Sequence, residues 1–173
     1  MTFAPTIIDD LSLPHPVTPL GTRWELMSDQ VMGGVSEGRM TRETVAGREA
    51  LRLTGGVRLD NDGGFLQLAL DLAVDGGHLD ARVWRGIALT VRGLGEMYNL
   101  HLRTADVERP WQSYRAHFEA QPEWHEVIIP FASLEAHRVE ATFDPATLRR
   151  IGLVAIGRAF EADLAVSQVR FVA

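Results

Sequence analysis

Ile87-Ala88-Leu89-Thr90-Val91-Arg92-Gly93-Leu94-Gly95, followed shortly by Tyr98-Asn99-Leu100-His101-Leu102-Arg103, alternates apolar and polar side chains nearly one for one. That is the period of a strand with one face in a core and one face in water. Parity sends Ile87, Leu89, Val91, Tyr98, Leu100 and Leu102 inward and leaves Thr90, Arg92, Asn99, His101 and Arg103 on the opposite face. The pattern repeats outward from here at 48–53, 65–70, 113–118, 123–129, 151–156 and 164–172. Between the runs lie Gly55-Gly56, Asn61-Asp62-Gly63-Gly64 and Asp75-Gly76-Gly77, where glycine lets the chain reverse. Short strands separated by regular turn signals predict an all-β sandwich or barrel. Two brief helical turns are expected, at 131–137 and at 144–150, the second with Asp144 as N-cap and Pro145 in the first helical position. Pro14, Pro16 and Pro19 make 11–22 an extended lead-in, because three missing amide donors rule out a central strand. With no repeat or linker in view, residues 1–173 read as one β domain, with 1–22 as its lead-in.

The composition narrows the chemistry. A chain of 173 residues can bury enough apolar surface to fold without staples, and it contains no cysteine. Thiol catalysis, thiolate zinc sites and iron–sulfur clusters are therefore excluded. All 17 basic residues are arginine, which removes Schiff-base chemistry and the phosphate-loop lysine. A net charge of −6 argues against general affinity for nucleic acid, whose phosphates demand a basic field. No apolar run is long enough to cross a bilayer as a helix, and the amino terminus shows no signal peptide. The expected location is the cytoplasm, with contact at the inner membrane made through a partner.

Gly34-Val35-Ser36-Glu37-Gly38 matches the G-x-S-x-G pattern of serine hydrolases. A nucleophile elbow needs a helix after the serine, and 39–45 is polar and β-branched without helical period, so a glycine turn is the simpler reading. Asp29, beside that turn, is of a type that accepts backbone amides. In the run around Tyr114 and Phe118, parity turns Ser113, Arg115, His117 and Glu119 outward. If these strands are neighbours, Arg92, Arg103, Arg115, His101 and His117 form a cationic patch on an acidic protein. Two readings stay open: a solvated face whose arginines pair with nearby carboxylates, or a surface for an acidic or polar partner gripped by planar guanidinium groups. A metal site built from His101, His117 and His125 lacks any close ligand spacing, and neither metal nor cofactor is expected. Trp111, after Pro110 in a loop, is the exposed aromatic best placed to stack on a ligand.

Trp24 with Ser28-Asp29-Gln30-Val31-Met32-Gly33-Gly34-Val35-Ser36 resembles the opening motif of the complex I intermediate-associated protein 30 family. The likeness continues in order through Gly63-Gly64-Phe65, the strand pair that ends in Gly93 and contains Tyr98, the Tyr114 element, and Trp124 to Pro130-Phe131. Leu94 stands where the family usually has an acidic residue between two glycines. The resemblance implies a galactose-binding-like jelly-roll sandwich with Trp24, Gly33, Gly34, Gly63, Gly64, Phe65, Tyr98, Tyr114, Trp124 and Pro130 as its structural motif. For the mitochondrial members it implies a chaperone role in assembling the membrane arm of respiratory complex I. The acid-containing amino terminus lacks the arginine-rich stretch of a mitochondrial presequence, so a stand-alone member of bacterial type is expected.

The function expected from these observations is non-enzymatic: an assembly or stability factor for a membrane-associated respiratory or photosynthetic complex, holding a protein partner on one face of the sandwich. Candidate contact residues are Asp29, Gln30, Met32, Ser36, Arg92, Arg103, Trp111 and Arg115. The alternative is a carbohydrate or small-ligand module, less favoured because polysaccharide modules act outside the cell.

Overall fold

The computed structural model describes residues 3–62 and 64–173. Among these described residues lie twelve strands: β1 (Ile7–Asp9), β2 (Trp24–Ser28), β3 (Glu37–Val45), β4 (Arg48–Val57), β5 (Phe65–Asp71), β6 (Gly86–Arg92), β7 (Glu96–Thr104), β8 (Ser113–Ala120), β9 (His125–Pro130), β10 (Glu135–His137), β11 (Leu148–Ile156) and β12 (Phe160–Val172). They form two antiparallel sheets. The first runs β3-β4-β12-β6-β9, with β1 against the far end of β12; the second runs β10-β8-β7-β11-β5-β2. The sheets face each other as a jelly-roll sandwich.

The alternation of the sequence builds the core directly. Ile87, Leu89 and Val91 from β6 join Leu51, Leu53, Leu164 and Phe171 of the first sheet, facing Tyr98, Leu100, Leu102, Leu68, Ile151 and Leu153 of the second. Each fully buried aliphatic side chain contributes about 1.5–3 kcal/mol, so this layer outweighs any single polar contact. Tyr98 also accepts the Asp163 amide on its hydroxyl at 3.0 Å, tying the core of the second sheet to β12. The amino-terminal segment docks through indoles: Trp24 Nε1 donates to Asp9 Oδ2 at 2.7 Å and Trp84 Nε1 to the Ala4 carbonyl at 2.8 Å.

Several local expectations are corrected. The stretch 131–137 holds a single 3₁₀ turn, Phe131–Ser133, and then pairs as β10 with β8. In 144–150 the Asp144 cap is present, accepting the Ala146 amide at 3.0 Å, but the turn ends at Thr147 and β11 begins. The polar, β-branched stretch 39–45 has no helix, as its lack of helical period implied, and lies inside β3, which among the described residues is an edge strand paired with β4. Strands β6 and β7, one connection apart in sequence, lie in different sheets. Gly93 makes that passage possible, since a Cβ there would sit 2.7 Å from the Ala120 Cβ and 2.9 Å from its carbonyl oxygen. Leu94 is exposed at the tip of this turn.

Candidate functional site

The turn after β2 is organised by one buried carboxylate. Ser28 caps the 3₁₀ turn Asp29–Met32 by accepting the Gln30 amide at 3.2 Å, and Gly33 closes it in the left-handed region at φ 85°. Asp29 then points inward, where Oδ1 accepts the Ser36 amide at 2.9 Å and Oδ2 accepts the Ser36 hydroxyl at 2.5 Å and the Phe65 amide at 3.2 Å. The Gly64 amide also donates to Oδ2. Burial pushes the Asp29 carboxyl up, but the Ser36 hydroxyl and the amides of Gly64, Ser36 and Phe65 outweigh it and hold the group below the usual carboxylate range. Gly34 has to be glycine because a Cβ would lie 2.4 Å from the carboxyl carbon of Asp29. The hub thus staples the β2–β3 turn to the start of β5, and Gln30 Nε2 adds a bond to the Ser36 carbonyl at 2.9 Å.

This geometry corrects two candidate contact residues. Asp29 and Ser36 are fully buried and cannot meet a partner; they are the frame of the turn. Ser36 accepts the Arg58 amide at 2.8 Å, has no imidazole partner among the described residues, and is followed by β3 rather than a helix, so the G-x-S-x-G match is not an elbow. What the frame presents outward is Val31 and Met32, the latter 60% exposed.

These residues form one wall of a groove of about 780 Å³ along the outer face of the second sheet. Its floor is set by register. Arg103 of β7 stands opposite Arg150 of β11, His101 opposite Gly152, and Arg115 of β8 opposite His101. Gly152 leaves room for the side chain of Gln67, whose Oε1 lies 2.0 Å from where a Cβ would be. Arg150 is engaged, donating to Asp71 at 2.9 Å and to the Met27 sulfur at 2.9 Å. Arg103 and Arg115 are not: Arg103 reaches only the Arg109 carbonyl at 3.4 Å and Arg115 the Ser113 hydroxyl at 2.8 Å, and neither has a carboxylate partner among the described residues. Burial, reinforced by Arg150 and Arg149 and opposed by the Asp71 carboxylate, lowers the Arg103 pKa; burial and then Arg138 lower that of Arg115. Burial and then the neighbouring Arg115 bring the His101 pKa down to about 3, leaving a neutral ring whose buried Nε2 has no hydrogen-bond partner.

The opposite wall is the loop bearing Trp111, which is 49% exposed. Gln112 holds this loop in shape, accepting the Glu108 and Arg109 amides at 3.1 and 2.9 Å and donating to the Arg138 carbonyl at 2.9 Å. Trp111 is therefore offered from a braced backbone.

The structure separates the remaining candidates. Arg92 lies on β6, opposite Ala165 of β12 in the other sheet, so the proposed patch with Arg103 and Arg115 does not exist as a set of three. His125 sits on β9 in that same sheet, its ring against the Glu123 and Glu119 carbonyls, and does not converge with His101 and His117. Tyr98 and Tyr114 are core residues, Tyr114 donating to the Ala141 carbonyl at 2.7 Å. Trp24 is buried, and Trp124 bonds the Val45 carbonyl at 3.0 Å beneath Arg48. Pro130 ends β9, and Phe65 lines the groove. Gly63 falls outside the described residues. Gln67, Arg150 and Gly152 were missed; a glycine inside the run 151–156 was the available signal, since it marks a close approach in a strand.

Comparison with known proteins places this geometry. No curated protein matches the sequence. Among solved structures, a family 11 carbohydrate-binding module of a cellulosomal cellulase of Clostridium thermocellum superposes with a TM-score of 0.76 at 12% identity, covering 100% of this chain and 96% of that one. The family 11 module from the same organism in complex with a β-1,3-1,4-mixed-linked tetrasaccharide gives 0.75 at 12% identity, covering 100% and 98%. A family 30 module of a cellulosomal cellulase of that organism gives 0.64 at 15% identity, covering 99% and 94%. At such identities the likeness speaks for the fold alone. The model of the complex I intermediate-associated protein 30 family, by contrast, matches residues 18–166, and the chain belongs to that family.

Proposed function

We propose that this protein is a non-enzymatic binding protein that assists assembly of a membrane-associated respiratory or photosynthetic complex by holding a segment of a partner protein in the groove of the second sheet. The observation that carries the reading is the apolar wall: Val31, Met32 and Leu59 stand exposed beside the groove, across from Trp111. Exposed aliphatic side chains clustered on a rim are the usual mark of a protein contact. Membership of a family named for complex I intermediates supports the assembly context. No helix among the described residues is long and apolar enough to cross a membrane.

A second reading is carbohydrate binding, favoured by one observation: the groove lies on a sandwich similar to sugar-binding modules and presents Trp111. Affinity purification from membranes solubilised after gentle crosslinking separates the two. Subunits of a membrane complex should be recovered with the parent chain and lost with Met32→Asp. Recovery that is unchanged in Met32→Asp, together with a glycan-dependent rise in melting temperature that Trp111→Ala abolishes, would transfer the groove to carbohydrate.

A further inference from the structure

The apolar rim does not account for two guanidinium groups in the floor of the same groove that have no ion pair among the described residues, Asp71 acting on Arg103 only from beyond ion-pair distance. Several arginines of this acidic chain are ion-paired, Arg52 with Asp163 and Glu43, Arg150 with Asp71, Arg170 with Glu126 and Arg158 with Glu96, whereas Arg103 and Arg115 combine partial burial in a groove with the lack of such a pair among the described residues. Arg103 and Arg115 are partly withdrawn from water and have only neutral oxygens to bond. They flank His101, Arg103 two residues along β7 and Arg115 directly across on β8, so all three side chains share a patch one or two side chains wide. The buried Nε2 of His101 is the polar atom of this patch that has no partner. Desolvated donors left unpaired are costly, and an acceptor from outside that satisfied them would gain more than the same contact at an exposed site.

Resting on the reading of the groove as a partner-protein site, we propose that it recognises an acidic stretch of extended peptide whose carboxylates are received by Arg103 and Arg115 beside His101, while its apolar side chains lie against Met32 and Leu59. A peptide, rather than an acidic sugar, is favoured by the wall. Methionine and aliphatic side chains accommodate peptide side chains of varied shape, and Trp111 on the opposite wall packs against peptide as readily as against a sugar ring. Carboxylate bound by arginine also carries geometric selectivity, since the planar fork accepts both oxygens.

The test uses the full chain and a fluorescein-labelled dodecapeptide of alternating Glu and Leu, its Gln/Leu twin, and oligogalacturonate, in anisotropy titrations at two salt concentrations. The Glu peptide should bind about tenfold or more tightly than the Gln twin, and lose about tenfold or more with Arg103→Gln or Arg115→Gln. Arg92→Gln, on the other sheet, should leave binding unchanged. Circular dichroism melts of each variant check that the fold is intact. Equal binding of the two peptides overturns the carboxylate proposal while leaving the partner-protein reading in place, provided Met32→Asp still weakens both. Binding of oligogalacturonate in preference to the Glu peptide overturns both the peptide assignment and the reading on which it rests. Absence of binding by either peptide up to about 1 mM overturns the proposal, and membrane-complex capture by the parent chain then decides separately whether the partner reading survives.

Discussion

Asp29→Asn is the substitution whose outcome the structure constrains most tightly. The wild-type carboxylate accepts four donors, the Ser36 amide, the Ser36 hydroxyl, the Phe65 amide and the Gly64 amide, from a fully buried position. An asparagine has one acceptor oxygen. In its better orientation that oxygen takes the place of Oδ2, and the NH₂ group then faces the Ser36 amide, donor against donor. One buried N–H left unsatisfied costs about 1–3 kcal/mol, and the surviving bonds fall from charge-assisted to neutral strength. The expected loss is about 3–5 kcal/mol, a large part of the ~5–15 kcal/mol by which a domain is stable. In urea unfolding, with m about 2 kcal/mol/M, the midpoint should fall by about 1.5–2.5 M at neutral pH with m unchanged. The carboxyl is held below its ordinary range, so its contribution is complete above the unfolded pKa near 3.8 and is lost as pH falls through the lower folded value. The gap between parent and variant should therefore narrow as pH falls below the unfolded value near 3.8. A loss under about 1 kcal/mol at pH 7, or a gap that does not narrow in acid, would refute the reading of Asp29 as an ionised hub.

Three further outcomes follow from the same coordinates. Gly34→Ala should destabilise by about 2 kcal/mol or more in urea, because its Cβ meets a carboxyl that four bonds prevent from moving; a neutral result would mean that the turn is softer than its hydrogen bonds imply. Tyr98→Phe keeps the ring but strips the Asp163 amide of its acceptor, which should cost about 1–2 kcal/mol and lower the melting temperature by about 3–6 °C, and an unchanged melt would count against that bond. Gly152→Ala should displace the flexible end of Gln67 into the groove, changing stability by less than about 1 kcal/mol while weakening the Glu-peptide titration several-fold, and unaltered affinity would place the ligand elsewhere.

How far the sequence could be read depended on what each residue's neighbours had to be. Alternation placed Ile87, Leu89, Val91, Tyr98, Leu100 and Leu102 in the core, because a half-buried strand imposes its period whatever lies beside it. The same parity placed Arg103 and His101 on one face. It failed for Arg92 because adjacency in sequence suggests a hairpin, whereas the Gly93 turn carries the chain from one sheet to the other. β3 went unread since an edge strand half-exposed on both faces has no apolar beat to detect. Asp29 was legible as an acceptor of backbone amides, but that its donors would come from Gly64 and Phe65 depended on long-range packing.

The groove draws together these two kinds of information. Its frame is fixed by groups that are fully satisfied: Asp29 under one wall and Gln112 bracing the other. Its floor holds groups that are not, Arg103, Arg115 and His101. A rigid frame limits the entropy lost on binding, and unsatisfied donors give a ligand something to gain by displacing water. The sandwich shared with sugar-binding modules supplies the frame in either case, so the fold leaves the ligand open. The difference must lie in the side chains of the floor and walls. Here those are two guanidinium groups without an ion pair among the described residues and an aliphatic rim facing Trp111, a combination that suits carboxylates and apolar side chains carried on one extended chain.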